Sequence, residues 1–211
     1  MKAVNFLLVN FSDTPVNSPY LRGLAIARQE IAAWLLRYGL IVPSWNIFDA
    51  RLAVLGKTYN EKQFLLTQDL ISKGIVRLDG QTAWYIFPST CNMGGTFGGD
   101  VFGQKGGQVA NRIPGVSYFG QVGLYALAYD KGIWNSDAPR RKAEGCIAHE
   151  LCHNVGLLPD QKGTLHAPNC VMTSGLYGFP NCMLETNGGI WGERKGDEIA
   201  ALANYGFMRR V

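Results

Sequence analysis

Two hydrophobic periods alternate along this chain, and the change from one to the other marks out its elements. Val4 to Phe11 is an almost unbroken apolar, β-branched and aromatic run, which predicts a buried central strand. Ser12 to Pro19 is rich in turn residues. From Pro19 to Tyr38 the period lengthens: Leu24, Ala27, Ile31, Leu35 and Tyr38 recur at helical spacing, and Gly39 closes that helix. Leu40 to Phe48 predicts a second strand. Thr58-Tyr59-Asn60-Glu61 has capping-box form and predicts a helix ending near Gly74. Thr82 to Phe87 predicts a third strand, Ser117 to Phe119 a short edge strand, and Gly123 to Asp130 another core strand. Asp137 is placed to cap a further helix, with Pro139 in its first turn, running to about Val155. Gly145 inside that helix costs about 1 kcal/mol relative to Ala, which points to close packing against the sheet. Strands alternating with helices, then an irregular tail, predict an α/β or α+β domain.

Composition narrows this modestly. At 211 residues the chain is long enough for one substantial core. An apolar fraction of 47% and a charged fraction of 17% suit a folded globular protein. No apolar run is long enough for a membrane span. The formal net charge of +4 is too mild to argue for nucleic acid, and Arg140-Arg141-Lys142 and Arg209-Arg210 read as solvated helix ends. Asn5 and Asn10 interrupt the first apolar run and no small-residue cleavage site follows, so it does not read as a signal peptide. The compartment stays open, with low charge and five cysteines leaning toward an exported protein. Cys170 could pair with Cys182, and Cys91 with Cys146 or Cys152; alternatively Cys146 and Cys152 are small buried hydrophobes. The glycine-rich stretch from Ser89 to Gly107 is not a phosphate loop, because no GK[ST] follows and no helix opens there. It reads as the rim of a cleft.

The chemistry lies in His149-Glu150-Leu151-Cys152-His153-Asn154-Val155-Gly156. This is HExxH followed by xxG. Residues four apart share one face of a helix, so His149 and His153 can grip one metal ion. Glu150 stands beside them, where it can reach a metal-activated water. HExxH also arises by chance, so the surroundings decide. Gly156 can end the helix in a left-handed turn and Pro159 prevents its return. His166 is the only other histidine in the chain. Three imidazoles and a water would complete a catalytic zinc site.

HExxHxxG, a further ligand and then the loop methionine of Cys170-Val171-Met172-Thr173 resemble the metzincin clan of zinc metallopeptidases. The resemblance implies a single catalytic domain over 1–211. Its upper lobe, about 1–156, would hold a twisted mixed sheet with two or three helices. The lower lobe, about 157–211, would be irregular and end in a helix, here Gly196 to Tyr205. It implies that Met172 forms the Met-turn beneath the metal. It also implies an extended peptide or protein substrate on an edge strand, for which Gln108 to Gly120 is the candidate segment. The chain departs from the clan in one respect. The usual third-ligand position is Pro159, which cannot bind metal, so the third ligand falls to His166 or alternatively Asp160. Asp160 could instead orient a ligand imidazole. Tyr177 and Tyr205 are candidates to stabilise an oxyanion, with packing as the plainer role.

The expected activity is zinc-dependent endopeptidase hydrolysis with Glu150 as general base. Two alternatives stand beside it: a thermolysin-like site with Glu198 as third ligand, and a zinc-bearing binding or toxin-like module that cleaves nothing. Cleavage specificity and oligomeric state are not encoded in any motif.

Overall fold

The computed structural model describes residues 2–11, 18–52, 63–89, 96–97, 115–119, 121–129, 139–157, 167–173, 178–186, 188–190 and 194–211. Through these the chain runs β1 (Ala3–Phe11), α1 (Ser18–Leu36), β2 (Leu40–Ile41), β3 (Trp45–Leu52), α2 (Gln63–Ser72), β4 (Thr82–Pro88), β5 (Thr96–Phe97), β6 (Val116–Phe119), α3 (Gln121–Tyr129), α4 (Pro139–Asn154), β7 (Gly188–Ile190), β8 (Arg194–Gly196), α5 (Glu198–Asn204) and β9 (Arg209–Arg210).

The apolar run of β1 is buried on both faces because parallel strands flank it and helices cover it. The main sheet has the order β3-β1-β4-β6-β5. Its first four strands are parallel and β5 runs antiparallel to β6. The fold is therefore mixed α/β on a largely parallel sheet, as the alternating periods predict. Val4, Phe6 and Leu8 of β1 join Tyr85 and Phe87 of β4 against α1, α3 and α4. Leu7, Val9 and Phe11 join Trp84 and Ile86 against Leu66 and Leu70 of α2. The period of two along each strand thus divides the core into two layers. The site-bearing helix α4 belongs to the first.

Several expectations need correction. Gln121–Tyr129 is a helix, where Gly123 to Asp130 predicts a strand. A short apolar run has no decisive period; here Leu124, Ala126 and Leu127 are buried and Tyr125 is exposed. Gly23 of α1 admits this helix closely, since a Cβ there would lie 2.9 Å from the Leu127 backbone carbon. The second predicted strand is split: β2 ends at Ile41 and β3 begins at Trp45, with Pro43 between them. β6 is not an edge strand, because β4 and β5 pair with it on opposite sides. The edge beside it is β5, and 108–114 of the proposed substrate segment lie outside the described residues. Of the two basic runs, Arg140-Arg141-Lys142 lies at a helix end, the first turn of α4, whereas Arg209-Arg210 does not. Arg209–Arg210 forms β9 against β2, so the chain closes on a short strand after α5. Arg141 bridges Glu30 of α1 at 2.9 Å and Glu144 at 3.3 Å. The capping box at 58–61, the stretch 98–107 together with 90–95 of the glycine-rich segment, and Asp137 lie outside the described residues. Among the described residues, no helix is long and apolar enough to cross a membrane.

Candidate metal centre

α4 begins at Pro139, whose fixed φ suits a first helical turn. It is buried over most of its circumference from Ala143 onward, Gly145 included. Two polar contacts seat it on the sheet. Ser117 Oγ donates to the Glu150 carbonyl at 3.3 Å, and Asn154 Nδ2 donates to the Trp84 carbonyl at 2.9 Å. The helix ends where the sequence places its stop. Gly156 has a φ of +131°, and the Leu157 amide donates back to the Cys152 carbonyl at 2.9 Å. The Tyr205 ring lies against the Gly156 Cα, so that a Cβ there would meet its Cδ2 at 2.4 Å. Burial pushes the Tyr205 phenol up to about 12, which keeps it protonated at neutral pH.

His149 and His153 bring their Nε2 atoms to 2.9 Å from one another. His149 Nδ1 lies 2.7 Å from the Val171 carbonyl, and His153 Nδ1 lies 3.2 Å from the Leu157 carbonyl. A carbonyl oxygen can only accept, so each Nδ1 carries the proton and donates it. In the neutral rings both Nε2 atoms then point lone pairs at one another, an arrangement that repels unless a cation lies between them. This donor set could hold a metal ion. Two nitrogens each about 2.0–2.1 Å from a tetrahedral zinc stand roughly 3.3 Å apart, so the rings need spread only a few tenths of an ångström. Glu150 completes the cluster: His149, Glu150 and His153 place ligand atoms within 4.8 Å of one another. The Glu150 Oε1 is 4.0 Å from His149 Nε2. Below it, burial first and then the Glu150 and Cys146 charges push the Tyr85 phenol well above its usual range.

The segment 167–173 lies against His149, through the Val171 carbonyl. Its turn is closed by Cys170 N donating to the Ala167 carbonyl at 2.9 Å and Thr173 N to the Cys170 carbonyl at 3.1 Å. Val171 N pairs with the Met183 carbonyl at 2.8 Å, which aligns the turn beside 182–184. α1 holds that second segment: Trp34 Nε1 donates to the Cys182 carbonyl at 3.0 Å, and the Tyr38 hydroxyl donates to the same oxygen at 3.1 Å. Met172 is fully buried, and the residue before it contacts His149 through its carbonyl. The predicted Met-turn residue therefore sits in a turn that abuts α4, the helix carrying His149 and His153.

The remaining predicted residues are distributed as follows. His166, Asp160 and Tyr177 lie outside the described residues. Glu198, the thermolysin-like alternative, is in a different cluster, with Cys170 and Glu185. Its carboxylate accepts the Glu185 amide at 2.8 Å and the Cys170 thiol at 3.5 Å. Cys146, Cys152, Cys170 and Cys182 are buried and not disulfide-bonded, so the suggested Cys170–Cys182 pairing is not formed, and the reading of Cys146 and Cys152 as small buried hydrophobes holds. Cys91 lies outside the described residues. Burial raises the Cys152 and Cys170 thiols and brings Cys182 to about 11, so all three are inert thiols at neutral pH. Sequence reasoning missed Val171, Leu157, Ser117 and Asn154. The first two act through backbone carbonyls, which no side-chain pattern announces.

No protein-family model matches the chain, and no curated protein matches it.

Proposed function

We propose that this chain is a zinc-dependent endopeptidase on a metzincin-like catalytic domain. The observation that carries the proposal is the pair of imidazoles held with Nε2 toward Nε2 by two backbone carbonyls, with Glu150 alongside. His149 and His153 would hold the ion, with His166 as third ligand and Asp160 as the alternative. Bound zinc supplies Lewis acidity, making a water acidic near neutral pH and polarising the scissile carbonyl. Glu150 takes the proton from the attacking water and passes it to the departing amine. The Val171 and Leu157 carbonyls keep both rings in the tautomer that presents Nε2. The low exposure of Glu150 and His153 strengthens their electrostatic interactions. The antiparallel edge strand β5, which contacts α4, is the natural place for an extended peptide to add backbone hydrogen bonds.

The test is hydrolysis of unfolded casein with and without a chelator. Activity lost to the chelator and restored by zinc is expected. Glu150→Gln should keep the metal and lose turnover by several orders of magnitude. A protein that binds zinc stoichiometrically and cleaves no peptide would instead be the binding or toxin-like module. Zinc affinity of His166→Ala and Asp160→Ala separates the two candidate third ligands.

A further inference from the structure

Glu198 is completely buried at the start of α5, and its carboxylate groups with Cys170 and Glu185 rather than with the histidine pair. A buried carboxylate needs hydrogen-bond donors. This one takes the Glu185 amide at 2.8 Å and the Cys170 thiol at 3.5 and 3.7 Å from its two oxygens. The Cys170 sulfur in turn accepts the Met172 amide at 3.3 Å. Between Cys170 and Met172 lies Val171, whose carbonyl accepts the His149 Nδ1 proton at 2.7 Å. Glu185 braces the near end of the same turn by accepting the Ala167 amide at 2.9 Å. The Glu198 amide donates to the Glu185 carbonyl at 2.9 Å, so α5 is tied to Glu185 by backbone as well as side chain, and Glu185 in turn to the 167–173 turn.

We infer that Glu198 and Cys170 are positioning residues for the metal centre, a buried relay from the last helix through the Met172 turn that fixes the Val171 carbonyl and, through it, the His149 ring. This inference rests on the proposed metal site but assigns residues that neither HExxH nor the Met-turn resemblance names. The carboxylate anchors the thiol, the thiol anchors the Met172 amide, and the intervening peptide plane is thereby set. Partners of this kind commonly change metal affinity by about 10- to 100-fold when removed. Cys170, Glu185 and Glu198 also have donor atoms within 4.8 Å of one another. Their donors are engaged in the hydrogen bonds above, so the relay predicts one metal ion per chain and no second one at sulfur.

The experiment compares wild type with Cys170→Ala, Cys170→Ser and Glu198→Gln. Three readings are taken: zinc affinity by chelator competition, the visible spectrum of the cobalt(II)-substituted protein, and the imidazole 15N shifts of His149 in metal-free protein. Cys170→Ala should weaken zinc about tenfold, alter the cobalt spectrum and shift His149 from a pure Nδ1–H tautomer to a mixture. Cys170→Ser keeps a donor and acceptor at that place and should recover most of the affinity. If Glu198→Gln fails to fold, the Cys170 pair still decides. Folded Cys170→Ala with unchanged affinity, cobalt spectrum and His149 tautomer overturns the relay while leaving the zinc site standing. A sulfur-to-cobalt charge-transfer band or a stoichiometry of two overturns it in favour of a second metal site. Wild type that binds no metal removes the proposed function itself, and the metal-free 15N measurement then reports on the relay separately.

Discussion

Gly156→Ala is the substitution that most directly probes how the metal helix is stopped. Gly156 has a φ of +131°, a conformation that a residue with a Cβ adopts at a cost of about 1–3 kcal/mol. The new Cβ would lie 2.4, 2.8 and 2.9 Å from Cδ2, Cε2 and Cγ of Tyr205, which adds roughly 1–3 kcal/mol of overpacking. Together these amount to about 2–6 kcal/mol, a large part of a typical domain's 5–15 kcal/mol or so. Urea unfolding of wild type, Gly156→Ala, Tyr205→Ala and the double variant separates the two parts. Truncating Tyr205 makes room for the Cβ but leaves the backbone strain, so the double variant should be more stable than additivity predicts by about 1–3 kcal/mol. Zinc affinity should fall as well, because the Leu157 carbonyl that accepts the His153 Nδ1 proton comes from this same turn. A Gly156→Ala protein within about 0.5 kcal/mol of wild type would refute the left-handed stop. Strict additivity with Tyr205→Ala would refute the ring's placement on the Gly156 Cα.

Three further outcomes follow from the same structure. Glu144 is buried, and burial raises its carboxyl to about 7 against the opposing pull of Arg141; between about 4.5 and 7 the folded protein keeps a proton that the unfolded chain has released, so stability falls as pH rises through that window, by at most about 3 kcal/mol. Glu144→Gln should flatten that slope in the metal-free protein, and an unchanged slope would contradict the assignment. Asn154→Asp replaces the donor to the Trp84 carbonyl by a buried carboxylate and should cost about 3 kcal/mol at neutral pH, less in acid; thermal melts at pH 7 and pH 4 check it, and a melt unchanged at both would rule out the contact. Stripping zinc should lower the melting temperature by an amount that grows with the logarithm of the free zinc that had been present, the equivalent of about 4 kcal/mol at a free concentration 1,000 times the Kd, and a melting temperature indifferent to added zinc would contradict it.

The sequence was most readable where one physical signal dominated. β1 had no polar face to confuse it, α1 had four apolar residues in register (Leu24, Ala27, Ile31 and Leu35), and Gly156 had a reason to be glycine that the fold bears out. The histidine pair could be placed because helical spacing alone brings His149 and His153 onto one face. Failures came where signals were degenerate or long-range. Val122 to Tyr129 is apolar throughout and has no period that separates helix from strand. β6 has the length of an edge strand but is enclosed by partners distant in sequence. Glu198 has the residue type of a possible ligand, while its partners, buried Cys170 and half-buried Glu185, could only be seen once the lower segments were packed together. The carbonyls of Val171 and Leu157, which fix the imidazoles, have no side-chain signature.

The central claim is that His149 and His153 share a metal ion, and elemental analysis of purified, unchelated protein tests it most directly. About one zinc per chain is expected in wild type, after resupply if needed, and none retained in His149→Ala or His153→Ala. Wild type without stoichiometric metal after resupply, or a metal content indifferent to both substitutions, would contradict the account.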